Sequence, residues 1–477
     1  MDEQKSQTKT YHITTFGCQM NVSDSERVAA IAENLGYKLS DSLEKADLIV
    51  INSCSIRQKA EDRVMGMGKK ISQLKSQNPD LQVILTGCMA KREERNASDE
   101  KKTESDEKYE QILKNYMPWL DHIVQIKNMH KLADKMGIAE NIKVEEYLSI
   151  KPKTSRSFIQ WIPISTGCNK FCTFCIVPFS RGSEIYRPYN EIIKEIQNSI
   201  QNGAKEITLL GQNVNSWRGE KNATKYIESK DPHRLLKENM PENMMDFADL
   251  LDEIGTELDK YINETGNKIW IKFTSSHPYD IDEKLVDVIL KHDSIAKQFH
   301  FAMQSGSNSV LKRMNRHYTV EDFIEKCELI RKKIPMVGIS TDIIVGFCGE
   351  TEQEFKETCD AMKKLKFDQT FISEYSTRKG TVADRVYKDN VSNEDKSSRK
   401  VVLNDILSAG NHERNEALIG KNLEVLIYRK TKNGFIGRTE SGKDVILPLE
   451  SDVKSGQFIP VNIIGQKNWS LIGEMQN

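Results

Sequence analysis

Three cysteines stand close together in the segment Ser165-Thr166-Gly167-Cys168-Asn169-Lys170-Phe171-Cys172-Thr173-Phe174-Cys175, spaced C-x3-C-x2-C. Thiolates so spaced on a short loop can each bind one iron of a [4Fe-4S] cubane, and no fourth cysteine follows nearby to close the last iron. An open iron is a chemical site. The amino and carboxylate groups of S-adenosylmethionine (SAM) can chelate it, and an electron from the reduced cluster can then cleave the sulfonium to a 5′-deoxyadenosyl radical. Phe174, just before the third cysteine, is placed to shield such a cluster from water. A structural zinc knuckle is the plainer alternative. Zinc sites usually close with four ligands at paired short spacings, and neither the spacing nor a nearby His offers that here.

A second set of three is spread along the amino-terminal part. Cys18, Cys54 and Cys88 lie 36 and 34 residues apart. Residues 11–16, 46–51 and 81–86 read as strands, and a cysteine follows each within a few residues. Between them come a helical pattern with Val28, Ile31 and Leu35 on one face, stopped by Gly36, and a charged helix over about 57–74. Alternating strands and helices predict a parallel sheet whose strands open their carboxyl ends on one edge. The three cysteines are therefore expected to converge as a second three-thiolate site with an open iron. A core cysteine at each strand end is the alternative. Of the other three cysteines, Cys327 and Cys359 lie in amphipathic helical stretches and are expected as small core residues, and Cys348 is left over.

The alternation restarts near residue 160, with strand-like runs at 161–165, 206–210, 269–274, 299–303, 337–345 and 369–375. Six such units fit an open, partial (βα) barrel, whose active residues come from the carboxyl ends of its strands. The loop of Cys168, Cys172 and Cys175 follows the first strand. Gln212, Asn213, Ser275 to His277, Gln304, Ser305 and Asp342 fall on the same edge, and each can equally be an ordinary strand-end group or helix cap. The polar excursion over 217–245 reads as a surface insertion, with a lid over a substrate as the alternative. From 421 the chain turns to short strands at 423–429, 435–438, 445–448, 458–464 and 470–473, which make a small β-barrel. Arg429, Lys430, Lys432 and Arg438 cluster there and would suit phosphate contacts; a solvated hairpin is the equal alternative.

With 477 residues, the chain can hold two to four domains, each burying its own core. A net charge of −1 excludes a global basic field, so any nucleic acid must be met by local patches. The polar residues 1–9 lack the apolar core of a signal peptide, and no apolar run suggests a membrane span, so a cytoplasmic protein without membrane contact is expected. Its nine cysteines then read as ligands or buried thiols rather than disulfides. Residues 91–110 form a charged run read as a solvated helix or loop, weak helical periodicity continues to about Leu148, and 151–157 reads as a linker.

The run from Gly167 to Cys175, with Arg181-Gly182, resembles the radical-SAM enzymes and in particular their methylthiotransferase branch. Thr15-Phe16-Gly17-Cys18-Gln19-Met20-Asn21, Asn52-Ser53-Cys54-Ser55-Ile56-Arg57 and Thr86-Gly87-Cys88-Met89 match motifs of that branch, and the resemblance covers nearly the whole chain. It implies a parallel-sheet (Rossmann/flavodoxin-like) domain over 9–150, a radical-SAM core with a partial (βα)6 barrel over 151–412 and a TRAM-type RNA-binding β-barrel over 413–477. It further implies two [4Fe-4S] clusters, an auxiliary one on Cys18, Cys54 and Cys88 and a radical-SAM one on Cys168, Cys172 and Cys175. SAM would be held along Leu210 to Ser216, Gln304 to Ser307, Met314-Asn315-Arg316 and Thr341 to Phe347; with Ser275 of the same strand-end edge and Phe174 of the cysteine loop, the candidate cofactor-binding residues are Gln212, Asn213, Ser275, Gln304, Ser305, Arg316, Asp342 and Phe174. Cys348 stands where the family usually has proline, Thr377 and Lys379 replace two further prolines, and the 91–110 run is longer and more charged than usual.

The implied reaction is the replacement of an aromatic C–H by C–S–CH3. One SAM methylates sulfur at the auxiliary cluster, and a second, cleaved at the other cluster, activates the substrate. Gln19-Met20-Asn21 and Gly211-Gln212-Asn213-Val214-Asn215-Ser216 resemble the enzymes acting on N6-isopentenyladenosine at tRNA position 37. The sister activities, on threonylcarbamoyladenosine or on a ribosomal-protein aspartate, are the alternatives. A non-catalytic RNA-binding iron-sulfur sensor is the alternative of another class, separable by SAM cleavage under reducing conditions. The expected partners are a tRNA anticodon stem-loop, a one-electron reductase of flavodoxin or ferredoxin type, and iron-sulfur assembly proteins. A monomer is expected.

Overall fold

The structure is a computed structural model that describes residues 8–55, 58–91, 99–136, 146–153, 158–229 and 241–475, with the side chains of 99–106 excepted. Ile56 and Arg57 of the second cysteine motif, 92–98 of the charged run, 137–145, 154–157 of the expected linker and 230–240 of the polar excursion lie outside these residues.

The amino-terminal part is a five-stranded parallel sheet of β1 (Thr10–Phe16), β2 (Lys38–Leu39), β3 (Leu48–Ser53), β4 (Gln82–Gly87) and β5 (His122–Ile123), in the order β2-β1-β3-β4-β5. β3, Leu-Ile-Val-Ile-Asn-Ser, is buried along its whole length because helices cover both faces of such a sheet. One apolar cluster gathers Val28, Ile31, Leu48, Val50 and Ile84, and the other gathers Ile49, Ile51, Ile71, Val83 and Leu85. The three predicted strands are β1, β3 and β4; the two-residue strands β2 and β5 carry too little pattern to be read. The helix expected over 57–74 is two helices, Gln58–Gly66 and Gly68–Gln77, and at the break a Cβ on Gly68 would stand 2.7 Å from Trp119 Nε1. The charged run enters the helix Asp99–Tyr116.

The central part contains β6 (Ile159–Pro163), β7 (Ser165–Thr166), β8 (Ile185–Tyr186), β9 (Glu206–Leu210), β10 (Gly219–Glu220), β11 (Ile227–Glu228), β12 (Met244–Met245), β13 (Trp270–Phe273), β14 (Gln298–His300), β15 (Gly338–Val345) and β16 (Gln369–Glu374). The six long-axis strands run in parallel as β6-β9-β13 and β14-β15-β16, and the bridges Ile271 to Ile295 and Ser276 to Phe301 join the two halves into one open barrel. Alternation decides the faces. On β15, Ile339, Thr341, Ile343 and Val345 are buried, with the three aliphatic residues in the large apolar core that lies under the helices, while Ser340, Asp342 and Ile344 look into the half-open interior.

The excursion after β9 is not a free surface insertion where it is described. β10 pairs with β12, β11 pairs with β8 directly after the cysteine loop, and Trp217 is fully buried with its Nε1 donating to Arg187 O at 3.0 Å. Its sequence looked detached because its anchors are single residues spaced without period.

The last part is a closed five-stranded barrel of β17 (Asn422–Thr431), β18 (Gly434–Thr439), β19 (Asp444–Leu447), β20 (Phe458–Lys467) and β21 (Ser470–Met475), in the order β17-β18-β19-β21-β20. Val425, Ile427, Val445, Val461, Ile463 and Leu471 fill it. It seats on the amino ends of the central strands. Trp270, which opens β13, meets Phe458 edge-on at 4.7 Å between ring centroids; Lys443 pairs with Asp368 at 2.7 Å, just before β16; and Tyr428 hydrogen-bonds Glu206, which opens β9. Arg438, for which phosphate contact and a solvated hairpin are equal readings of the sequence, has its guanidinium engaged within the barrel. It pairs with Asp444 at 2.9 Å and lies over the Tyr428 ring, on the seated side, whereas Arg429, Lys430 and Lys432 are exposed. No described helix is long and apolar enough to cross a membrane.

Candidate active site

Each cysteine of the first set is held where its strand ends. Cys18 is the extended N-cap of the helix Gln19–Asn34, and its backbone N–H and thiol both reach Asn21 Oδ1, at 3.3 and 3.4 Å. The Asn21 Nδ2 donates to Asn52 Oδ1 at 2.9 Å, and Asn52 Nδ2 donates to Asn21 O and Ser25 Oγ, so the first and second cysteine loops are locked by two fully buried amides. Cys54 N donates to Phe16 O, tying the second loop back to the end of β1. Gly87, at φ +86, lets the chain turn into Cys88; a Cβ there would stand 2.6 Å from Ser53 O. A hydrogen bond from Cys54 and, against the cost of burial, the charge and N–H of Arg181 draw Cys88 down to about 6.

The second set sits on the loop between β7 and the short helix Val177–Ser180. Gly167 at φ +78 and Phe171 at φ 51 bend it. Gln212 Oε1 accepts from Gly167 N at 2.7 Å, Asn315 Nδ2 donates to Phe171 O, and Thr173 is held by Met314 O, Arg313 O and Ala383 N. Arg316 donates to Cys172 Sγ at 3.1 Å and is fixed by Ala302 O and the Tyr318 hydroxyl. Phe174 meets Phe347 edge-on and joins an apolar cluster with Val310, Met314 and Tyr375, a wall beside the loop. Burial and the neighbouring thiols push Cys168 and Cys175 up, Cys175 to about 12.

The remaining candidates divide by what they touch. Asn213 Nδ2 donates to Asp280, Ser275 and Gln304 adopt positive φ at the ends of their strands, and Asp342 pairs with His300 at 3.0 Å on the interior face. The Ser305 hydroxyl lies against Thr358 Oγ1 at 3.3 Å and accepts from Ser307 N, bracketing strand end to helix. Cys327 and Cys359 are buried in helices as expected, and Cys348 packs in the cluster of Phe347 and Tyr375.

The two cysteine sets are not separate. Arg181, six residues past Cys175, donates from Nε to Cys88 Sγ at 3.1 Å and from Nη2 to Asp24 Oδ2 at 2.6 Å, with both members of the ion pair buried. The charge of Cys88 is also felt at Cys175. Asp24 escaped sequence reading, and the sequence marks Arg181 only as part of its motif and not for this contact, although Ser23, Asp24 and Arg27 are polar residues on a helix that should bury its face, which is the one available signal. Arg27 and Arg187 both pair with Glu195, at 2.9 and 2.7 Å, and complete the buried junction.

The donor set fits iron-sulfur clusters. Six free cysteines gathered in two sets of three are the thiolate donors such clusters take, one per iron. Among the described residues no group of three or more His, Cys, Asp or Glu side chains is spaced for one metal ion; thiolates on a cubane each bind a different iron. Near the same strand ends, Ser165 Oγ, Asn213 Oδ1, Ser276 Oγ and Gln304 Oε1 are buried without a hydrogen-bond partner among the described residues, and a polar ligand such as SAM would supply one.

A family model described as "Radical SAM superfamily" matches residues 162–362, and one described as "Uncharacterized protein family UPF0004" matches residues 10–106. The chain is 35% identical to a tRNA-2-methylthio-N(6)-dimethylallyladenosine synthase of Thermoanaerobacter pseudethanolicus, over 99% of this chain and 94% of that protein. It is 34% identical to the enzyme of the same name from Finegoldia magna, over 98% and 94%, and 36% identical to that from Dictyoglomus thermophilum, over 98% of each. Among solved structures, the cobalamin-dependent SAM radical enzyme OxsB aligns over 83% of this chain and 55% of its own, at 13% identity and a TM-score of 0.49. With those full-length identities and two cysteine sets at one buried junction, the chain belongs to the radical-SAM methylthiotransferase family, tRNA-modifying enzymes that use [4Fe-4S] clusters and SAM.

Proposed function

We propose that the chain methylthiolates C2 of N6-isopentenyladenosine at position 37 of tRNA, consuming two SAM per product, one as methyl donor and one as radical source. Cys18, Cys54 and Cys88 would hold the auxiliary cluster, and Cys168, Cys172 and Cys175 the radical-SAM cluster. The domains in this reading would be 9–150, 151–412 and 413–477. The observation that carries this reading is the meeting of the two cysteine sets at Arg181, since sulfur transfer needs the sulfur carrier beside the site of activation.

When bound, the clusters and SAM supply one-electron sulfonium cleavage and a transferable sulfur, which acid-base groups cannot replace at a carbon with neither an acidic proton nor a leaving group. The protein's own work is placement. Gln212, Asn315 and Thr173 set the loop, and Arg316 orients Cys172. Phe174 and Phe347 keep water from one side. The buried polar atoms of Ser165, Asn213, Ser276 and Gln304 would bind SAM, with Asp342 and its His300 partner facing the interior. The target base has to leave its stack to enter, which a loop nucleotide does at low cost. A one-electron donor of flavodoxin or ferredoxin type would recharge the clusters.

Nucleoside mass spectrometry of tRNA from cells with and without the gene tests the reading. Loss of methylthiolated isopentenyladenosine with accumulation of its precursor is expected. An unchanged nucleoside would overturn the substrate assignment and turn the search to threonylcarbamoyladenosine and ribosomal protein. In vitro, Cys172→Ala should abolish SAM cleavage, and Cys54→Ala should leave cleavage intact while ending sulfur insertion.

A further inference from the structure

Arg181 holds a buried cation at the junction of the two cysteine sets. Its guanidinium has five N–H donors in a fixed plane. Asp24 Oδ2 takes one at 2.6 Å, and Cys88 Sγ takes another at 3.1 Å. Nη1 is buried with no partner among the described residues, and a desolvated charged donor left unpaired is costly. Asp24 is itself fixed, lying on the helix that Cys18 caps and accepting from the Tyr147 hydroxyl at 3.4 Å. The short helix that delivers Arg181, Val177–Ser180, packs against the turn Cys88–Ala90.

We propose that Arg181 is a positioning residue for the auxiliary cluster. Clamped by Asp24, it donates N–H bonds to sulfur at Cys88 and, through Nη1, to cluster sulfide, and it thereby raises that cluster's affinity for an electron. A cation donating to cluster sulfur offsets the negative charge gained on reduction, which moves the potential upward. A residue from the loop that carries one cysteine set therefore sets the electronic state of the other. The inference deepens the proposed function and rests on Cys18, Cys54 and Cys88 holding a cluster.

The test uses the full-length chain carrying Cys168→Ala, Cys172→Ala and Cys175→Ala, reconstituted anaerobically with iron and sulfide. Iron and sulfide content comes first: a chain that binds none overturns the auxiliary-cluster reading, and the inference with it. Where the cluster is present, its potential is read by redox titration with electron paramagnetic resonance for Arg181→Lys, Arg181→Gln and Asp24→Asn in that background. The expected result is a potential lowered most by Arg181→Gln, less by Arg181→Lys, and also lowered by Asp24→Asn, which releases the clamp. A purely structural junction would lower thermal stability in all three and leave the potential where it was. An unchanged potential in Arg181→Lys with an intact cluster overturns the inference, also where Arg181→Gln fails to retain iron.

Discussion

At the scale of single residues, the cysteines depend on amides that carry no charge. Asn21 and Asn52 are fully buried, and their reciprocal bonds hold the loops of Cys18 and Cys54 at a fixed separation. Asn52→Ala would leave the Asn21 amide and the Ser25 hydroxyl short of a buried partner, a loss of about 1–3 kcal/mol. The expected outcome is a lower denaturant midpoint together with reduced iron at the auxiliary site, and iron analysis of a chain lacking the other three cysteines reads the second effect directly. Gln19-Met20-Asn21 thus has a structural duty at its third position besides any bearing on substrate choice.

At the scale of elements, the helix Gln19–Asn34 does two jobs, presenting Cys18 at its amino terminus and docking on the central barrel. Its Ser23 hydroxyl donates to Trp161 O at 3.1 Å, and its Arg27 meets Glu195. Glu26 sits in this junction, and burial, opposed by Arg27 and reinforced by Glu195, pushes its carboxyl up to about 7 from an ordinary 4.5. A folded value above the unfolded one means that the fold is favoured while Glu26 holds its proton. That contribution is complete below about 4.5 and is lost as pH rises through about 7. Glu26→Gln should therefore match the wild type at pH 4 and exceed it at pH 8 by up to about 3 kcal/mol in urea unfolding. Equal stabilities at both pH values would contradict it.

At the scale of the whole molecule, the final barrel closes the end of the central barrel away from the cysteines. Trp270 against Phe458, Lys443 against Asp368 and Tyr428 with Glu206 make it part of one folded body rather than an appendage. Phe458→Ala should cost about 2 kcal/mol and lower the melting temperature without changing iron content. Arg429, Lys430 and Lys432 are exposed together along one hairpin of this barrel, whereas Arg438 is engaged by Asp444 and Tyr428. Replacing the three exposed residues by Ala should weaken tRNA binding and flatten its salt dependence, while Arg438→Ala should act on stability; filter binding at several salt concentrations separates the two.

The fold class was legible in the chain because periodicity and strand-end position are local. β9 matches its expected bounds, all six barrel strands and the five of the last barrel lie where alternation placed them, and Cys18, Cys54 and Cys88 each follow a strand as read. Of the candidate site, the sequence showed two sets of cysteines, one on a short loop and one at successive strand ends, since both kinds of spacing are local. What lay beyond reading was every feature that depends on which distant faces meet. Asp24 and Arg181 are 157 residues apart, and nothing at either position marks the other. Period-two alternation places Arg438 on one face of its strand but is silent on whether that face meets water or another domain. Short-range order follows from backbone and side-chain preferences within a few residues, whereas the junction of the two cysteine sets follows from packing three cores together, a property of the assembled chain.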